Sequence, residues 1–499
     1  MMINIRPGKR FFVLATAAIF VVGAYLFVSR MNAHTGFPLD DAWIYQTYAR
    51  NLVQYHAWVY QPGQITGGAT GPLWVFVLAI GYFLGIPALI WTSFAGAVLL
   101  ITAGMLAARV FDRFRIAGED VGTIAGLLII LEWHYVWAAV SGMETLLFVC
   151  LIILIFLLLI KRKKSLWNWA VVGFFIAVSV WVRPDGLTLL GPACFVAGIF
   201  PEKTKGKAAA IANLLLGFGV GFAVYLLFNF QLSGTWWPNT FYAKQAEYSV
   251  LLNVPFWQRF FRQLSLPVTG AGLLLLPGFV GSVFFGFRTR RWEIIAMFLW
   301  VLGFLGIYAY RLPVVYQHGR YAFPVIVIYD LLGFLGTVLW VNRQKKKAGL
   351  IFAKSWMLSF GIILLAFLWL GGKAYCRDVA VIDTEMVRTA YWLKKHTPSD
   401  AIIAVHDIGA IGFYSDRKIV DLAGLISPDI IPVIRDEAGI AAYLDKKSAD
   451  YIVTFPGWYQ QLVKNRKAVY CTESRFAPEL GGENMCVYRW GGNNAINPY

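Results

Sequence analysis

The stretch FPLDDAWIYQTYARNL, residues 37–52, places two adjacent carboxylates directly after a long apolar segment. Pro38 breaks any helix that precedes it, and Ile44, Tyr48 and Leu52 then recur at the spacing of one helix face. We therefore predict a short amphipathic helix that lies on the membrane surface. One aspartate is enough to cap the first turn of this helix, so the second carboxylate suggests general-base or metal chemistry.

The composition of the chain is that of an integral membrane protein. Of the 499 residues, 59% are hydrophobic and 14% are charged, whereas a soluble domain carries about 25% charged residues. Apolar stretches of about 18 residues or more recur along the chain, and each is long enough to cross a bilayer as a helix. A large soluble protein does not account for so many of them. We predict a polytopic α-helical membrane protein.

The net charge of +17 is distributed in the pattern of cytosolic loops. Basic and acidic side chains balance from residue 371 onward, so the excess belongs to residues 1–370, where short basic clusters separate the apolar stretches. This is the positive-inside pattern, and it argues against nucleic acid as a partner. The clusters are RPGKR (6–10), RVFDRFR (109–115), KRKK (161–164), KTKGK (203–207), RTRR (288–291) and RQKKK (343–347).

About eleven transmembrane helices satisfy this rule, with the N-terminus in the cytosol and the C-terminal tail outside. The apolar segment 72–85 has only 14 residues, and we interpret it as an interfacial or re-entrant helix. The first span is expected to be retained, since no clear cleavage site follows it. The expected spans are 11–29, 88–108, 121–140, 145–160, 166–183, 186–200, 208–230, 266–287, 293–310, 322–341 and 350–370.

Two domains follow from this division: a transmembrane domain at 1–370, with its first outer loop at 30–87, and an extracytoplasmic domain at 371–499. The tail mixes helical and β-branched stretches, which predicts a small α/β domain. Its expected elements are an amphipathic helix at 386–397 and strands within 402–406, 418–424 and 451–455.

Three features of the tail carry further expectations. Cys471 and Cys486 flank a polar loop and could form a disulfide in an oxidising compartment. The glycines of segment 407–429 are expected to serve turns, not phosphate binding. Asp407 and Asp421 are expected to face the membrane cavity.

The polar residues in the predicted outer segments are unusual for so apolar a chain. Isolated charges near membrane depth usually mark function, although anchoring of span ends is the alternative. These residues are Asp40, Asp41, Arg50, Glu144, Arg183, Asp185, Lys244, Arg311, His318 and Arg320.

The first outer loop resembles that of a known enzyme class. The order LDDAWIYQTYARNL, VYQPGQ (59–64) and TGGATGPLW (66–74) is similar to membrane glycosyltransferases of the GT-C superfamily, and most similar to the cell-envelope arabinofuranosyltransferase type. Gln61 and the segment 69–71 depart from the usual motif. Later segments also fit: SGMET (141–145), WVRPDG (181–186), WWPNTFYAK (236–244) and HGRYAFP (318–324).

The resemblance implies a hexosyl- or pentosyltransferase in the cell membrane with a sugar donor linked to polyprenyl phosphate or diphosphate. The acceptor would be a glycan, a lipid or a protein, and membrane lipids surround the site. A general base is needed, because a sugar hydroxyl must lose its proton as it attacks. Asp41 is the first candidate for that base and Asp40 is the second. The resemblance also implies inversion at the anomeric carbon.

The leaving phosphate needs positive charge, and arginine supplies it as a bidentate fork. The expected binding residues are Lys244, Arg320, His318 and Arg183. Each has an alternative role: anchoring a span end, or, for Arg183, pairing with Asp185 across a proline turn.

Three further residues are expected to bind the substrate: Asp185, Trp237 and Glu144, the last of them at the outer mouth of the cavity. Glu144 could instead act as an acid at a helix N-terminus. Trp237, with Trp236 beside it, could stack on sugar rings or belong to an aromatic belt at the membrane interface.

The sequence contains no HExxH or CxxC metal motif, but a divalent cation held by Asp40 or Asp41 and the donor phosphate is compatible with it. The absence of a phosphate-binding glycine loop gives no support to a nucleotide cofactor.

Two other functions stay open at this point. One is a transporter or flippase of lipid-linked sugars, which would require broken helices and charges deep in the spans. The other is a non-catalytic envelope assembly protein.

Overall fold

The computed structural model describes residues 7–116, 120–160, 165–199 and 204–491. Helices dominate the first three quarters of the chain, as the apolar stretches predict. Those helices are α1 (Pro7–Met31), α2 (Asp41–Tyr55), α3 (Pro72–Phe83), α4 (Ala88–Phe114), α5 (Val121–Leu131), α6 (Trp133–Val140), α7 (Thr145–Ile160), α8 (Leu166–Val182), α9 (Leu190–Ile199), α10 (Thr204–Ser233), α11 (Asn239–Glu247), α12 (Phe256–Ser265), α13 (Gly272–Thr289), α14 (Trp292–Arg311), α15 (Phe323–Val341) and α16 (Lys347–Val381).

Seven of the described helices are long and apolar enough to cross a membrane: α1, α4, α10, α13, α14, α15 and the helix that begins with α16. The expected span 121–140 is a pair, α5 and α6, bent by 57°. The expected spans 145–160, 166–183 and 186–200 are shorter apolar helices. The chain is therefore a multi-pass membrane protein, while eleven crossings remain a prediction.

The helix α3 has 12 residues and is about 18 Å long at 1.5 Å per residue. A bilayer core is about 30 Å thick, so α3 is too short to cross it at that length. The re-entrant or interfacial placement of segment 72–85 stays a prediction.

The helix α2 differs from its prediction in its environment. It was expected to lie on the membrane surface with one polar face. Instead it is buried along most of its length, including the polar Gln46, Thr47 and Asn51. The helix α3 and the tail pack against it, and the polar side chains are satisfied by hydrogen bonds such as that from Gln46 Nε2 to Thr92 Oγ1 at 3.0 Å.

The tail is joined to the membrane part by an unbroken helical segment. The helix α16 continues through a π-helical turn, Ile382–Val387, into α17 (Arg388–His396). Residue 371, the expected domain boundary, therefore lies within a helix and not in a linker. The first outer loop is tied to this helix, because His34 Nδ1 lies 2.9 Å from Asp383 Oδ2.

The tail contains a five-stranded mixed sheet with the order β4-β3-β5-β7-β6. Its first three strands in the chain are parallel neighbours, and the last two are antiparallel. A disulfide joins Cys471 to Cys486 across the last pair. The elements of the first loop and the tail are β1 (Val59–Gln61), β2 (Gln64–Ile65), β3 (Ile402–Val405), α18 (Ile408–Tyr414), β4 (Lys418–Asp421), α19 (Glu437–Lys446), β5 (Tyr451–Thr454), α20 (Gln460–Val463), β6 (Ala468–Cys471), α21 (Phe476–Glu479) and β7 (Cys486–Arg489).

Several basic clusters meet at the end of the bundle away from the tail. Arg10 Nη1 lies 2.7 Å from Asp112 Oδ2, and the Arg291 guanidinium lies over the ring of Phe114 at 5.3 Å. The predicted loops therefore group as the positive-inside rule requires, although which side is cytosolic stays a prediction. The cluster KRKK at 161–164, with Arg6 and Lys203, lies outside the described residues.

Close packing between α8 and α10 gives a direct test of the fold. A Cβ added at Gly217 would lie 2.1 Å from the carbonyl oxygen of Ala170, whereas at Gly219 it would meet nothing within 4 Å. We predict that Gly217→Ala destabilises the protein by about 1–3 kcal/mol through overpacking. Gly219→Ala, on the same helix, should be neutral or slightly stabilising. Thermal unfolding of the two variants in detergent checks this, and equal stability would contradict the α8–α10 contact.

Candidate active site

A cavity of about 360 Å³ lies where the first outer loop, the ends of α6, α8 and α14, the helix α11 and the tail converge. Its walls are mainly apolar and aromatic, but four basic and three acidic side chains also line it. One positive charge is therefore in excess. These charged residues are Asp41, Glu144, Arg183, Asp185, Lys244, Arg311 and Arg320.

Asp41 is held between two cations. Its Oδ2 accepts a hydrogen bond from Arg320 Nη2 at 2.7 Å and lies 3.6 Å from Lys244 Nζ. Burial would raise the pKa of Asp41, but Lys244 and Arg320 outweigh it and hold that pKa well below its usual range. Asp41 is therefore ionised in the empty cavity. It does not cap its own helix, contrary to one prediction, since its carboxylate faces these cations.

Arg320 has unused hydrogen-bonding capacity in the cavity. Its side chain is only 11% exposed, and its Nη2 also donates to the hydroxyl of Tyr321 at 3.3 Å. Within the described part of the chain, its buried Nε and Nη1 have no hydrogen-bond partner. Buried donors are normally satisfied, and an arginine with two free N–H groups suits a tetrahedral oxyanion. The Nζ of Lys244 lies close by, donating to Tyr321 at 3.2 Å.

Arg183 belongs to a separate network in the cavity wall. Its Nε donates to Asp185 Oδ2 at 3.0 Å, the pairing that the sequence offered as the alternative, and its Nη1 also donates to Glu144 Oε1 at 2.7 Å. The hydroxyl of Tyr308 donates to the same Asp185 oxygen at 2.7 Å. Glu144 is almost fully buried and pairs with Arg183. These three charged residues pair with one another in the wall. Arg320 and Lys244 share the one carboxylate of Asp41, and Arg311, the fourth basic residue of the lining, donates to Gln245 Oε1 at 3.1 Å.

Asp40 binds the tail and does not line the cavity. Its two carboxylate oxygens accept hydrogen bonds from the backbone N–H groups of Gly409 at 2.6 Å and Ala410 at 2.8 Å, at the start of α18. Asp40 therefore caps a helix of the tail and not α2. Burial and then the Asp407 carboxylate raise the pKa of Asp40 to about 8, against the effect of the two N–H groups.

The contact between α18 and the first outer loop is very close. A Cβ on Gly409 would lie 1.9 Å from the backbone oxygen of Asp40, and one on Gly412 would lie 1.9 Å from the Tyr60 hydroxyl. The Tyr60 hydroxyl donates to the Ile408 carbonyl at 2.6 Å. These glycines therefore permit close approach of two domains and do not form turns, which corrects the prediction for them.

The remaining predicted tail carboxylates lie outside the cavity lining. Asp421 is fully buried, and its oxygens accept from the backbone N–H groups of Ala423 and Ile426, both at 2.7 Å. It thereby fixes the loop that brings Leu425 into the cavity wall. Asp407 pairs with His406 at 3.5 Å.

His318 is likewise separate from the cavity. Its Nε2 lies 2.7 Å from Asp378 Oδ2, on the long helix that leads to the tail. The indole of Trp137 donates to the same carboxylate at 2.9 Å. Trp237 lines the cavity and stacks on Phe241, whereas Trp236 is half exposed and stacks on Phe230.

The carboxylates of the two aspartates point apart, Asp40 to the backbone of α18 and Asp41 to Arg320 and Lys244. A divalent cation held by one of them together with a donor phosphate stays a prediction. Among the described residues, no group of three or more His, Cys, Asp and Glu could hold a metal ion.

Sequence reasoning missed several residues of the cavity. Tyr45 lies one helical turn after Asp41, so its position on the same face could have been noticed. Tyr308 lies in an apolar segment with no motif, whereas Tyr321 belongs to the quoted segment HGRYAFP (318–324) and was not singled out. Leu425 comes from the tail and reaches the site only through the domain contact.

Sequence comparison places only the tail in a known group. A family model described as a domain of unknown function (DUF8728) matches residues 377–488. No curated protein matches the chain.

Solved structures share the architecture of the whole chain. ArnT from Cupriavidus metallidurans bound to undecaprenyl phosphate matches with a TM-score of 0.59 and 13% identity, over 98% of this chain and 99% of that one. The apo oligosaccharyltransferase of Archaeoglobus fulgidus matches with a TM-score of 0.63 and 10% identity, over 91% and 71%. The chain has the GT-C glycosyltransferase fold. A mycobacterial arabinofuranosyltransferase, AftD, also has this GT-C fold, with a TM-score of 0.56 and 15% identity over 97% of this chain and 42% of that one.

The contact between Asp40 and α18 predicts a local effect on the tail. Asp40→Asn replaces one of the two accepting oxygens by an NH2 group, which cannot accept a hydrogen bond, so backbone hydrogen exchange at Gly409 and Ala410 should accelerate about tenfold or more. Asp436→Asn is the matched control, because Asp436 caps α19 within the tail and should affect only that helix. Unchanged exchange in residues 408–414 of Asp40→Asn would show that this contact does not hold the tail.

Proposed function

We propose that this protein transfers a sugar from a polyprenyl-phosphate-linked donor to a hydroxyl of an acceptor, at the membrane face that carries the tail. The observation that carries this proposal is the pairing of Asp41 with Arg320, a buried arginine with two unused N–H groups, in a cavity at the membrane boundary. The GT-C fold supports it, as does the undecaprenyl phosphate bound to ArnT, a protein with the same fold.

The donor phosphate is proposed to bind Arg320 and Lys244. The cavity carries one positive charge in excess, which matches a phosphodiester with its single negative charge better than a diphosphate. The free Nε and Nη1 of Arg320 supply two donors for the phosphate oxygens. The lipid chain would extend into the bilayer from the apolar side of the cavity, past residues such as Ile307 of α14.

Binding of phosphate would also convert Asp41 into an effective base. In the empty cavity the cations lower the pKa of Asp41, and a carboxylate with so low a pKa is a weak base. A bound phosphate competes for Arg320 and Lys244, so the pKa of Asp41 rises in the complex. The base is therefore activated only when the donor is present.

The proposed reaction is a single displacement. The acceptor oxygen forms a bond to the anomeric carbon as the bond from that carbon to the phosphate oxygen breaks. The electron pair leaves on the polyprenyl phosphate, which Arg320 and Lys244 stabilise, and the proton of the acceptor hydroxyl passes to Asp41. Attack opposite the leaving group inverts the anomeric centre.

The sugar is proposed to be a hexose or a pentose, and the acceptor a cell-envelope glycan, lipid or protein. The aromatic side chains of Trp237, Phe241 and Tyr45 in the cavity wall offer flat surfaces for a sugar ring. Following the positive-inside rule, the N-terminus is placed in the cytosol and the tail outside the cell membrane.

One observation favours a second function, the transport of lipid-linked sugars. The broken pair α5 and α6 has Glu132 at its break, and the buried Asp330 lies within the span α15, 3.5 Å from the Tyr135 hydroxyl. Broken helices and charges in spans are typical of transporters. Neither group lines the cavity that contains Asp41, so the two functions depend on different residues.

Asp41→Asn in proteoliposomes with candidate polyprenyl-phosphate sugars tests the proposal. We predict that transfer falls by about two orders of magnitude or more, as for loss of a general base, while binding of undecaprenyl phosphate is retained. Asp112→Asn, which alters a carboxylate paired with Arg10 at the end of the bundle away from the tail, is the matched control and should transfer normally. Full transfer by Asp41→Asn would refute the assignment of the base. A protein that moves lipid-linked sugar across the bilayer but transfers none would be a transporter.

A further inference from the structure

A second cavity, of about 470 Å³, lies between α13, α15 and α16. The helix α15 separates it from Arg320: that helix begins at Phe323, and its first residue in the lining of this cavity is Gly336, about 20 Å further along the helix. The residues around it therefore belong to the membrane face opposite the tail. The residues that line this second cavity include Gly281, Phe284, Arg288, Trp340, Arg343 and Trp356.

Glycines explain why this cavity exists. A Cβ on Gly278 would lie 2.0 Å from the Gly333 carbonyl oxygen, so α13 and α15 touch through their backbones there. One turn further, at Gly281, a Cβ would meet nothing within 4 Å. The two helices are thus in contact at one level and leave an open space at the next, and Trp356 of α16 is fixed beside that space by its hydrogen bond to the Leu274 carbonyl at 3.2 Å.

All charged side chains among the described residues that line this cavity are basic. Arg288 and Arg343 line its mouth, and no acidic side chain is among the described residues that line it. Both arginines are exposed, and they belong to the basic clusters at 288–291 and 343–347. The rest of the lining is mainly apolar and includes Leu274, Phe284 and Phe352, of which the two phenylalanines are exposed. An anionic head with an apolar chain fits this arrangement.

We propose that this cavity binds an anionic phospholipid of the membrane leaflet opposite the tail, with its phosphate at Arg288 and Arg343 and one acyl chain among the apolar side chains. Basic pockets between transmembrane helices on the cytoplasmic side have this preference. Trp340 and Trp356 contact each other beside the cavity, with their ring centroids 6.4 Å apart, and indoles are enriched at membrane interfaces. The lipid bridges α13, α15 and α16, and so stabilises the helix that precedes the tail. This inference does not depend on the proposed transferase activity.

The experiment measures thermal unfolding of the full-length protein in neutral detergent with added phosphatidylglycerol or phosphatidylcholine. Phosphatidylglycerol should raise the apparent melting temperature by about 3 °C or more, and phosphatidylcholine or inorganic phosphate should not. This rise in melting temperature with phosphatidylglycerol should be lost in the double variant Arg288→Gln/Arg343→Gln. It should be retained in Lys345→Gln with Lys346→Gln, a control in the same basic cluster but outside the cavity lining.

A second variant separates the cavity from surface charge. Gly281→Leu fills the open space without a backbone clash and leaves both arginines, so it should abolish the response to phosphatidylglycerol. A response that survives both Gly281→Leu and the arginine substitutions would overturn the proposal. A larger, arginine-dependent response to undecaprenyl phosphate would overturn the assignment to a phospholipid.

Discussion

The ion pair between Asp41 and Arg320 joins the first outer loop to the segment that precedes α15. Charges at the membrane boundary are costly unless they are paired, and this pair is further supported by Lys244 and Tyr321. Three distant parts of the chain are thereby brought to one cavity. The pair is incomplete, however, since two N–H groups of Arg320 stay without a partner in the described part of the chain. These are the donors that the proposed phosphate of the sugar donor would use.

The two adjacent aspartates divide two tasks. Asp41 faces the cations of the cavity, and Asp40 faces the N-terminus of α18 in the tail. Because one peptide bond separates them, displacement of the tail from Asp40 would also displace Asp41. The tail contributes Leu425 to the cavity wall as well. The domain that matches the DUF8728 model is therefore part of the site's architecture.

Much of the membrane part could be predicted from sequence, because the apolar length of each helix and the basic clusters between helices are local signals. Three of the five described strands of the tail, β3, β4 and β5, were also predicted from their β-branched runs, whereas β6 and β7 were not. The environment of α2 was not, since its burial depends on α18, more than 350 residues later in the chain. The same holds for Asp40, whose partners are backbone N–H groups of that helix and leave no side-chain signature. Asp41, Lys244 and Arg320 were singled out as charged residues of the predicted outer segments, and the resemblance to known enzymes then suggested their roles. Their contact with one another required the structure.

The pH dependence of transfer tests the central claim most directly. If donor phosphate draws Arg320 and Lys244 away from Asp41, the pKa of Asp41 is well below its usual range in the free enzyme and higher in the donor complex. A general base must be deprotonated to act. Both kcat and kcat/KM therefore fall as the pH drops through the pKa that Asp41 has in the donor complex and in the free enzyme, respectively. The acid limb of kcat, which reports the complex, should lie at higher pH than that of kcat/KM, which reports the free enzyme. Coincident acid limbs would contradict activation of Asp41 by the donor.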